Sequence, residues 1–172
     1  IYADNAIDPV GKEPWNLGIQ HVVNAEGMGV ANDLGGFRAR YRYHYEDPKL
    51  CAFLAATPML ATWDDHEIFD DWGALRLVQQ GKGDLLEAGM RAFFEYSVHR
   101  GPPEEPRRVY RRSVWGPHCE FFVLDCRSYR AMHDEVEASA TPQMNTILGE
   151  AQLKWLKTSL ADSTCTWKFI CT

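Results

Sequence analysis

A short apolar segment that ends in a row of ionisable side chains is the feature that most constrains this chain. Residues 57–62 are mostly apolar, and Trp63 and four ionisable residues follow them directly: Asp64, Asp65, His66 and Glu67. Burying such a row in a hydrophobic core would cost several kcal/mol for each charge without a partner. An exposed loop could hold the row, but it would not account for the apolar segment that precedes it. We therefore interpret residues 57–62 as a strand whose carboxyl end presents ligands to a cation.

The two adjacent aspartates are expected to differ in role. Neighbouring side chains on an extended segment point in opposite directions, so Asp64 and Asp65 cannot both face one cation in regular strand geometry. We predict Asp65 as a direct metal ligand and place Asp64 beside it as a supporting metal-site residue that orients a ligand or a loop. Glu67 is interpreted as a hydrogen-bonding partner rather than a ligand.

Composition limits the class of protein. The chain has 172 residues, of which 45% are hydrophobic, which is typical of a globular domain with a sizeable core. A net charge of -6 argues against a general nucleic-acid-binding protein. No stretch approaches the ~18 consecutive apolar residues that a membrane span requires. The cysteines are odd in number and contain no C-x-x-C pair, so neither a zinc ribbon nor a disulfide scaffold is indicated.

The pattern of apolar residues and turn residues predicts alternating helices and short strands. Helices are expected at 34–45, 49–56 (started by Asp47-Pro48, since proline suits a first helical turn), 85–99 (capped by Asp84) and 148–160, and strands at 57–62, 109–115, 120–125 and 166–171. Residues 72–77 are expected to be connecting chain. Gly116 and Pro117 would turn an antiparallel hairpin. The prediction is an α/β layered fold in one domain, with ligands collected at strand ends.

Several motifs occur in an order that resembles a known family. They are Ile1-Tyr2-Ala3-Asp4, Phe37-Arg38-Ala39-Arg40-Tyr41-Arg42 with Asp47-Pro48, Thr57-Pro58 through Glu67, Leu124-Asp125-Cys126-Arg127-Ser128-Tyr129-Arg130, and Leu148-Gly149-Glu150-Ala151-Gln152-Leu153-Lys154-Trp155-Leu156. Together they resemble the alkaline phosphatase D (PhoD-like) family of metallophosphoesterases. The chain is similar to a fragment of that family's catalytic domain, incomplete at both ends, since the bridging Asp before Tyr2 and a closing His-containing region are missing.

The resemblance implies a fold and a chemistry. The expected fold is a four-layer sandwich in which mixed sheets are flanked by helices. The expected cofactors are Ca²⁺ and Fe³⁺, with other divalent ions as alternatives, and the expected activity is hydrolysis of phosphodiesters or phosphomonoesters by a metal-activated hydroxide. By position, Tyr2 would be a phenolate ligand of iron, Asp65 a metal ligand and His66 a phosphoryl contact or proton donor. Arg127 would brace a phosphate, although pairing with the acidic row is an equal interpretation.

Two other interpretations remain open on sequence alone. The acidic residues from Asp64 to Asp71 could form a calcium-binding structural module, although they lack the spacing of an EF-hand. A truncated chain could also fold in part and have no activity. The resemblance suggests a periplasmic or secreted protein that acts on a small phosphate ester, whereas the residues themselves leave localisation and oligomeric state undecided.

Overall fold

A computed structural model describes residues 1, 3–4, 31–99, 101–130 and 146–172. The described elements are five helices and three strands: α1 (Leu34–His44), α2 (Pro48–Ala56), α3 (Ala74–Gln79), α4 (Gly83–Tyr96), β1 (Arg111–Trp115), β2 (Cys119–Val123), α5 (Gly149–Asp162) and β3 (Trp167–Cys171). The α/β class predicted from the sequence is confirmed. None of the helices in these ranges is long and apolar enough to cross a membrane.

The chain divides into two compact units. The first, called the helical unit, comprises residues 1–60, 65–72 and 81–98, and the second, called the sheet unit, comprises residues 61–64, 73–80 and 99–172. The sequence predicted one domain over residues 1–172, and that assignment stays a prediction. Each unit is described below by itself.

The helical unit is built on α1 and α4. The carboxylate of Asp33 accepts a hydrogen bond from the backbone N–H of Gly36 at 2.7 Å, which caps the first turn of α1. Phe37 of α1 and Phe93 of α4 are buried. A Cβ at Gly89 of α4 would lie 2.9 Å from Cγ1 of Ile68 and 3.2 Å from Cζ of Phe37. The glycine therefore lets the buried loop residue Ile68 pack directly against the helix.

Helix α2 begins where the sequence predicted. Asp47 accepts a hydrogen bond from the backbone N–H of Lys49 at 2.8 Å, and Pro48 occupies the first helical position. A proline is favoured there because the missing N–H has no intrahelical acceptor. No residue of α2 is buried, so this helix depends on its local capping more than α1 does.

The sheet unit contains a mixed sheet in the order β1-β2-β3. β1 and β2 form the predicted antiparallel hairpin, with Arg111 opposite Val123, and β3 runs parallel to β2. Helix α5 precedes β3 in the chain and packs on this sheet through Leu156, which contacts the buried side chains of Phe122 and Leu124. Four of the five residues of β3 are exposed.

Three local predictions were wrong. Residues 57–62 are irregular rather than a strand, because side-chain hydrogen bonds, described below, hold their carboxyl end. Residues 74–79 form the short helix α3 instead of connecting chain. Helix α4 begins at Gly83 with Lys82 at the cap position, so Asp84 lies in the first turn and does not cap the helix. A carboxylate in the first turn still stabilises the positive end of the helix dipole.

Candidate active site

Three members of the ionisable row, Asp65, His66 and Glu67, lie in a tight turn of the helical unit. The backbone N–H groups of Ile68 and Phe69 donate to the carbonyl of Asp65 at 2.9 and 3.0 Å, which closes one turn after Trp63 and Asp64. Buried Ile68 and Trp72 anchor the loop 65–72 in the apolar interior. The polar side chains between these anchors are therefore held at the surface of the unit.

His66 is oriented by Asp4. Nδ1 of His66 lies 2.9 Å from both carboxylate oxygens of Asp4, so the ring donates from Nδ1. A backbone hydrogen bond of 2.7 Å from Ala3 to the carbonyl of His66 brings residue 4 to this position. The Asp4 side chain is only 7% exposed. Its hydrogen bond raises the pKa of His66 above the usual value, and the negative charges of Asp4, Asp65 and Asp70 act in the same direction against desolvation.

The second ring nitrogen of His66 faces two more carboxylates. Nε2 lies 3.9 Å from Oδ1 of Asp65 and 3.9 Å from Oδ1 of Asp70. In addition, Asp4, His66 and Asp70 each offer a ligand atom within 4.8 Å of the others, the one such group found among the described residues. Gathering carboxylates around one imidazole is unfavourable unless a positive charge is shared among them.

The Asp65 carboxylate also organises the loop. Oδ1 accepts from the backbone N–H of His66 at 3.0 Å, and Oδ2 accepts from the backbone N–H of Asp71 at 3.2 Å. Asp71 has a φ of 47°, a left-handed conformation that aspartate tolerates better than most residues. Asp65 thus connects the start and the end of the turn. Because each carboxylate oxygen has further lone pairs, these bonds do not preclude ligation.

Two neighbouring charged groups complete this part of the helical unit. The main-chain nitrogen of Ile1 lies 2.9 Å from Oε1 of Glu67, and the role of Glu67 as a hydrogen-bonding partner stays a prediction. Arg40 on α1 is 5% exposed. Burial lowers the pKa of Arg40, and the attraction of Asp4 opposes this shift, which places a cationic side chain near the Asp4 carboxylate. The predicted ligand Tyr2 lies outside the described residues.

The donor set fits a hard cation. Carboxylate oxygens and one imidazole nitrogen are ligands that calcium, iron and several divalent ions accept in proteins. Sequence reasoning did not assign Asp4 to this group, and it included Asp70 only within the acidic run from Asp64 to Asp71. Asp4 stands in the first quoted motif and Asp70 lies four residues after His66, so both were visible in the sequence. Only the folded chain brings residue 4 to residue 66.

Asp64 and Arg127 form an ion pair within the sheet unit. Nε and Nη2 of Arg127 donate to Oδ1 of Asp64 at 2.9 and 2.6 Å. The Asp64 side chain is 76% exposed and that of Arg127 is 12% exposed. The structure therefore brings the two predicted residues Asp64 and Arg127 together, and separately brings Asp65 and His66 together. The role of Asp64 as a supporting metal-site residue stays a prediction.

Asp125 is the buried centre of the segment that carries Arg127. Its Oδ1 accepts from the indole N–H of Trp63 at 2.9 Å and from the backbone N–H groups of Arg127 and Ser128 at 3.0 and 2.9 Å. The residue is 1% exposed. Three N–H donors compensate a carboxylate that is almost removed from water.

The chain is similar to known proteins along its whole length. A family model described as "PhoD-like phosphatase" matches residues 1–172. Alkaline phosphatase D of Bacillus subtilis (strain 168) is 31% identical over an alignment of 156 residues, and the match covers 80% of this chain and 26% of that protein. A solved structure described as "Structure of PhoD" covers 99% of this chain and 34% of its own chain, with a TM-score of 0.73 and 24% identity. The similarity to this solved structure concerns the fold. The chain spans only about a quarter to a third of the length of these relatives.

Proposed function

The chain belongs to the PhoD-like phosphatase family, and from this membership we propose that the protein hydrolyses phosphate esters, either phosphodiesters or phosphomonoesters, with the help of bound metal ions. The observation that carries the proposal is the arrangement around His66, whose Nδ1 is held by Asp4 while Nε2 faces Asp65 and Asp70 at 3.9 Å. An imidazole with one nitrogen fixed and the other directed at carboxylates is prepared for proton transfer beside a cation.

The residues that would hold the cation are Asp65 and Asp70, with Tyr2 as a further predicted ligand and Asp64 as the predicted supporting residue of the metal site. When bound, calcium or ferric iron would lower the pKa of a coordinated water and balance negative charge on the phosphoryl oxygens. We retain Ca²⁺ and Fe³⁺ as the proposed cofactors because oxygen donors dominate this set. Other divalent ions are compatible with the same ligands.

The chain's own residues would then act on the ester. Hydrolysis joins a water oxygen to phosphorus while that water gives up a proton to solvent, breaks the bond to the leaving oxygen and requires a proton on that oxygen. Protonated His66, kept in orientation by Asp4, would supply this proton from Nε2 or donate a hydrogen bond to a phosphoryl oxygen. For Arg127, which is paired with Asp64, we retain the expectation from the resemblance that its guanidinium braces a phosphate, as guanidinium groups commonly do.

For the whole protein we propose the four-layer sandwich of mixed sheets flanked by helices. The mixed sheet β1-β2-β3 and the packing of α5 on Phe122 and Leu124 support this arrangement. The expected substrate is a small phosphate ester.

The deciding experiment is hydrolysis of bis-p-nitrophenyl phosphate by the full-length protein, supplied with calcium and iron and then treated with chelator. We expect turnover that chelation abolishes and that Asp65→Asn greatly reduces. Asp84→Asn, which changes an exposed carboxylate in the first turn of α4, serves as the matched control. A folded, metal-loaded protein that turns over neither this diester nor p-nitrophenyl phosphate would contradict the proposal. Calcium-dependent stability without turnover would instead favour a calcium-binding structural module.

A further inference from the structure

Residues 61–64, which precede the loop 65–72, each form a hydrogen bond within the sheet unit. The carbonyl of Ala61 accepts from Arg111 Nη2 at 3.0 Å, and Thr62 Oγ1 donates to the carbonyl of Leu124 at 2.7 Å. Trp63 and Asp64 continue the series through their bonds to the side chains of Asp125 and Arg127. Because a side chain supplies at least one partner in every bond, segment 61–64 is fixed without belonging to a strand.

Gln152 of α5 holds the other side of Asp125. Its Oε1 accepts from the backbone N–H of Asp125 at 2.9 Å, and its Nε2 donates to the carbonyls of Asp125 and Leu148 at 2.8 and 3.0 Å. Gln152 is completely buried. The amide therefore satisfies both backbone groups of Asp125, and the carboxylate of the same residue remains available to hold the indole of Trp63.

Helix α5 can reach Asp125 only because it begins with a glycine. Gly149 has a φ of +70°, and a Cβ at this position would lie 2.9 Å from the Cβ and 3.0 Å from the carbonyl oxygen of Tyr129. Gln152 follows within the first turn of the helix. The close approach at Gly149 thus places the Gln152 amide against the backbone of Asp125.

We propose that Trp63, Asp125 and Gln152 are positioning residues for the cation-binding loop. Trp63 is followed after one residue by Asp65 and His66 in the chain, so a fixed indole limits where the loop begins. The role rests on the proposed function, because it assumes that Asp65 binds a cation. Loss of the network should weaken cation binding without removing a ligand, as happens when residues that support metal ligands are changed.

The test uses Trp63→Phe in the full-length protein, which removes the indole N–H and keeps an aromatic ring. Trp115→Phe is the matched control, since Trp115 on β1 is 66% exposed. Thr62→Val is a second variant that removes one hydroxyl donor from the same segment, in case Trp63→Phe does not fold. The readouts are amide hydrogen exchange over residues 61–66, calorimetric titration with Ca²⁺ after chelation, and kcat and KM for bis-p-nitrophenyl phosphate.

We expect Trp63→Phe to accelerate exchange in this segment and to weaken Ca²⁺ binding about 10-fold, with kcat lowered and KM little changed. Asp125→Asn, which keeps an acceptor oxygen, should restore most of the Ca²⁺ affinity that Asp125→Ala loses. A folded Trp63→Phe protein with unchanged exchange or unchanged affinity overturns the positioning role and leaves the proposed function standing. A wild-type protein that neither binds Ca²⁺ nor turns over substrate overturns the positioning role and the proposed function together. Because the wild type is itself inactive in that case, this outcome differs from failure of the positioning role alone.

Discussion

Asp4 in the helical unit and Asp125 in the sheet unit are both largely buried aspartates, but their surroundings differ. One oxygen of Asp125 accepts from three N–H donors. Asp4 shares its two oxygens with one imidazole nitrogen, on a ring whose other nitrogen faces Asp65 and Asp70. A carboxylate saturated by N–H donors stabilises local structure, whereas carboxylates grouped around one imidazole favour its protonated form and can also serve a bound cation. The difference separates a supporting carboxylate from ligand candidates.

The largest effect that would sharpen this comparison is expected for His66→Ala. Removal of a group that transfers a proton typically costs about 10²- to 10⁴-fold in rate, and we expect kcat/KM of the full-length protein for bis-p-nitrophenyl phosphate to fall by that range. His118→Ala, in the exposed turn between β1 and β2, is the matched control. Retention of activity within a few-fold of wild type would exclude His66 from the reaction.

The second effect compares Gln152→Leu with Asp70→Asn in stability. Gln152→Leu removes two buried hydrogen bonds and one part-buried hydrogen bond and leaves backbone groups of Asp125 unsatisfied, so we expect the free energy of unfolding to fall by about 2–4 kcal/mol. Asp70 is 75% exposed, and Asp70→Asn should change stability by less than about 0.5 kcal/mol while weakening cation binding. Denaturant unfolding and Ca²⁺ titration measure the two quantities. Equal losses of unfolding free energy in the two variants would contradict the distinction between the supporting contacts of Asp125 and the ligand candidate Asp70.

The third effect tests the supporting network without deleting a hydrogen-bonding group. Gly149→Ala adds a Cβ next to the backbone of Tyr129 and forces an L side chain into a positive φ. We expect a loss of about 1–2 kcal/mol from the backbone conformation alone. Gly83→Ala is the control, because a Cβ there would meet nothing within 4 Å. Similar melting temperatures for the two variants would show that α5 can shift without consequence.

The smallest effect concerns Glu95, a carboxylate satisfied by guanidinium groups at the surface of the helical unit. Hydrogen bonds from Arg38, and then from Arg91, lower its pKa from 4.5 to about 2. A depressed folded-state pKa contributes stability above pH 4.5 that is lost as the pH falls toward 2. The difference in unfolding free energy between wild type and Glu95→Gln should therefore shrink over this interval. A difference that stays constant with pH would rule out the ion pair as its source.

The elements that the sequence predicted well are those determined by neighbouring residues. The caps at Asp33 and Asp47 mark the start of α1 and α2, and a turn at Gly116 marks the β1–β2 hairpin. In contrast, residues 57–62 are apolar like a strand, but bonds from residues more than 45 positions away hold Ala61 and Thr62 instead. Local pattern does not contain that information.

The candidate site also has features that the sequence predicts and features that depend on distant residues. Asp65, His66 and Asp64 were predicted because they are consecutive, and the sequence cannot show that Asp64 pairs with Arg127 while His66 pairs with Asp4. Each of these contacts joins residues about sixty positions apart. Assigning roles within a row of charges therefore requires the partner of each charge, which only the folded chain supplies.

The exposed strand β3 has a consequence for handling these residues in isolation. Within the described ranges β3 pairs on one side only, with β2, and Trp167, Phe169 and Ile170 are 63%, 44% and 54% exposed. An apolar strand with an unpaired edge is a template for further strands. A preparation of residues 1–172 alone should therefore self-associate at high concentration, and lysine substitutions along β3 offer a direct way to keep it monodisperse.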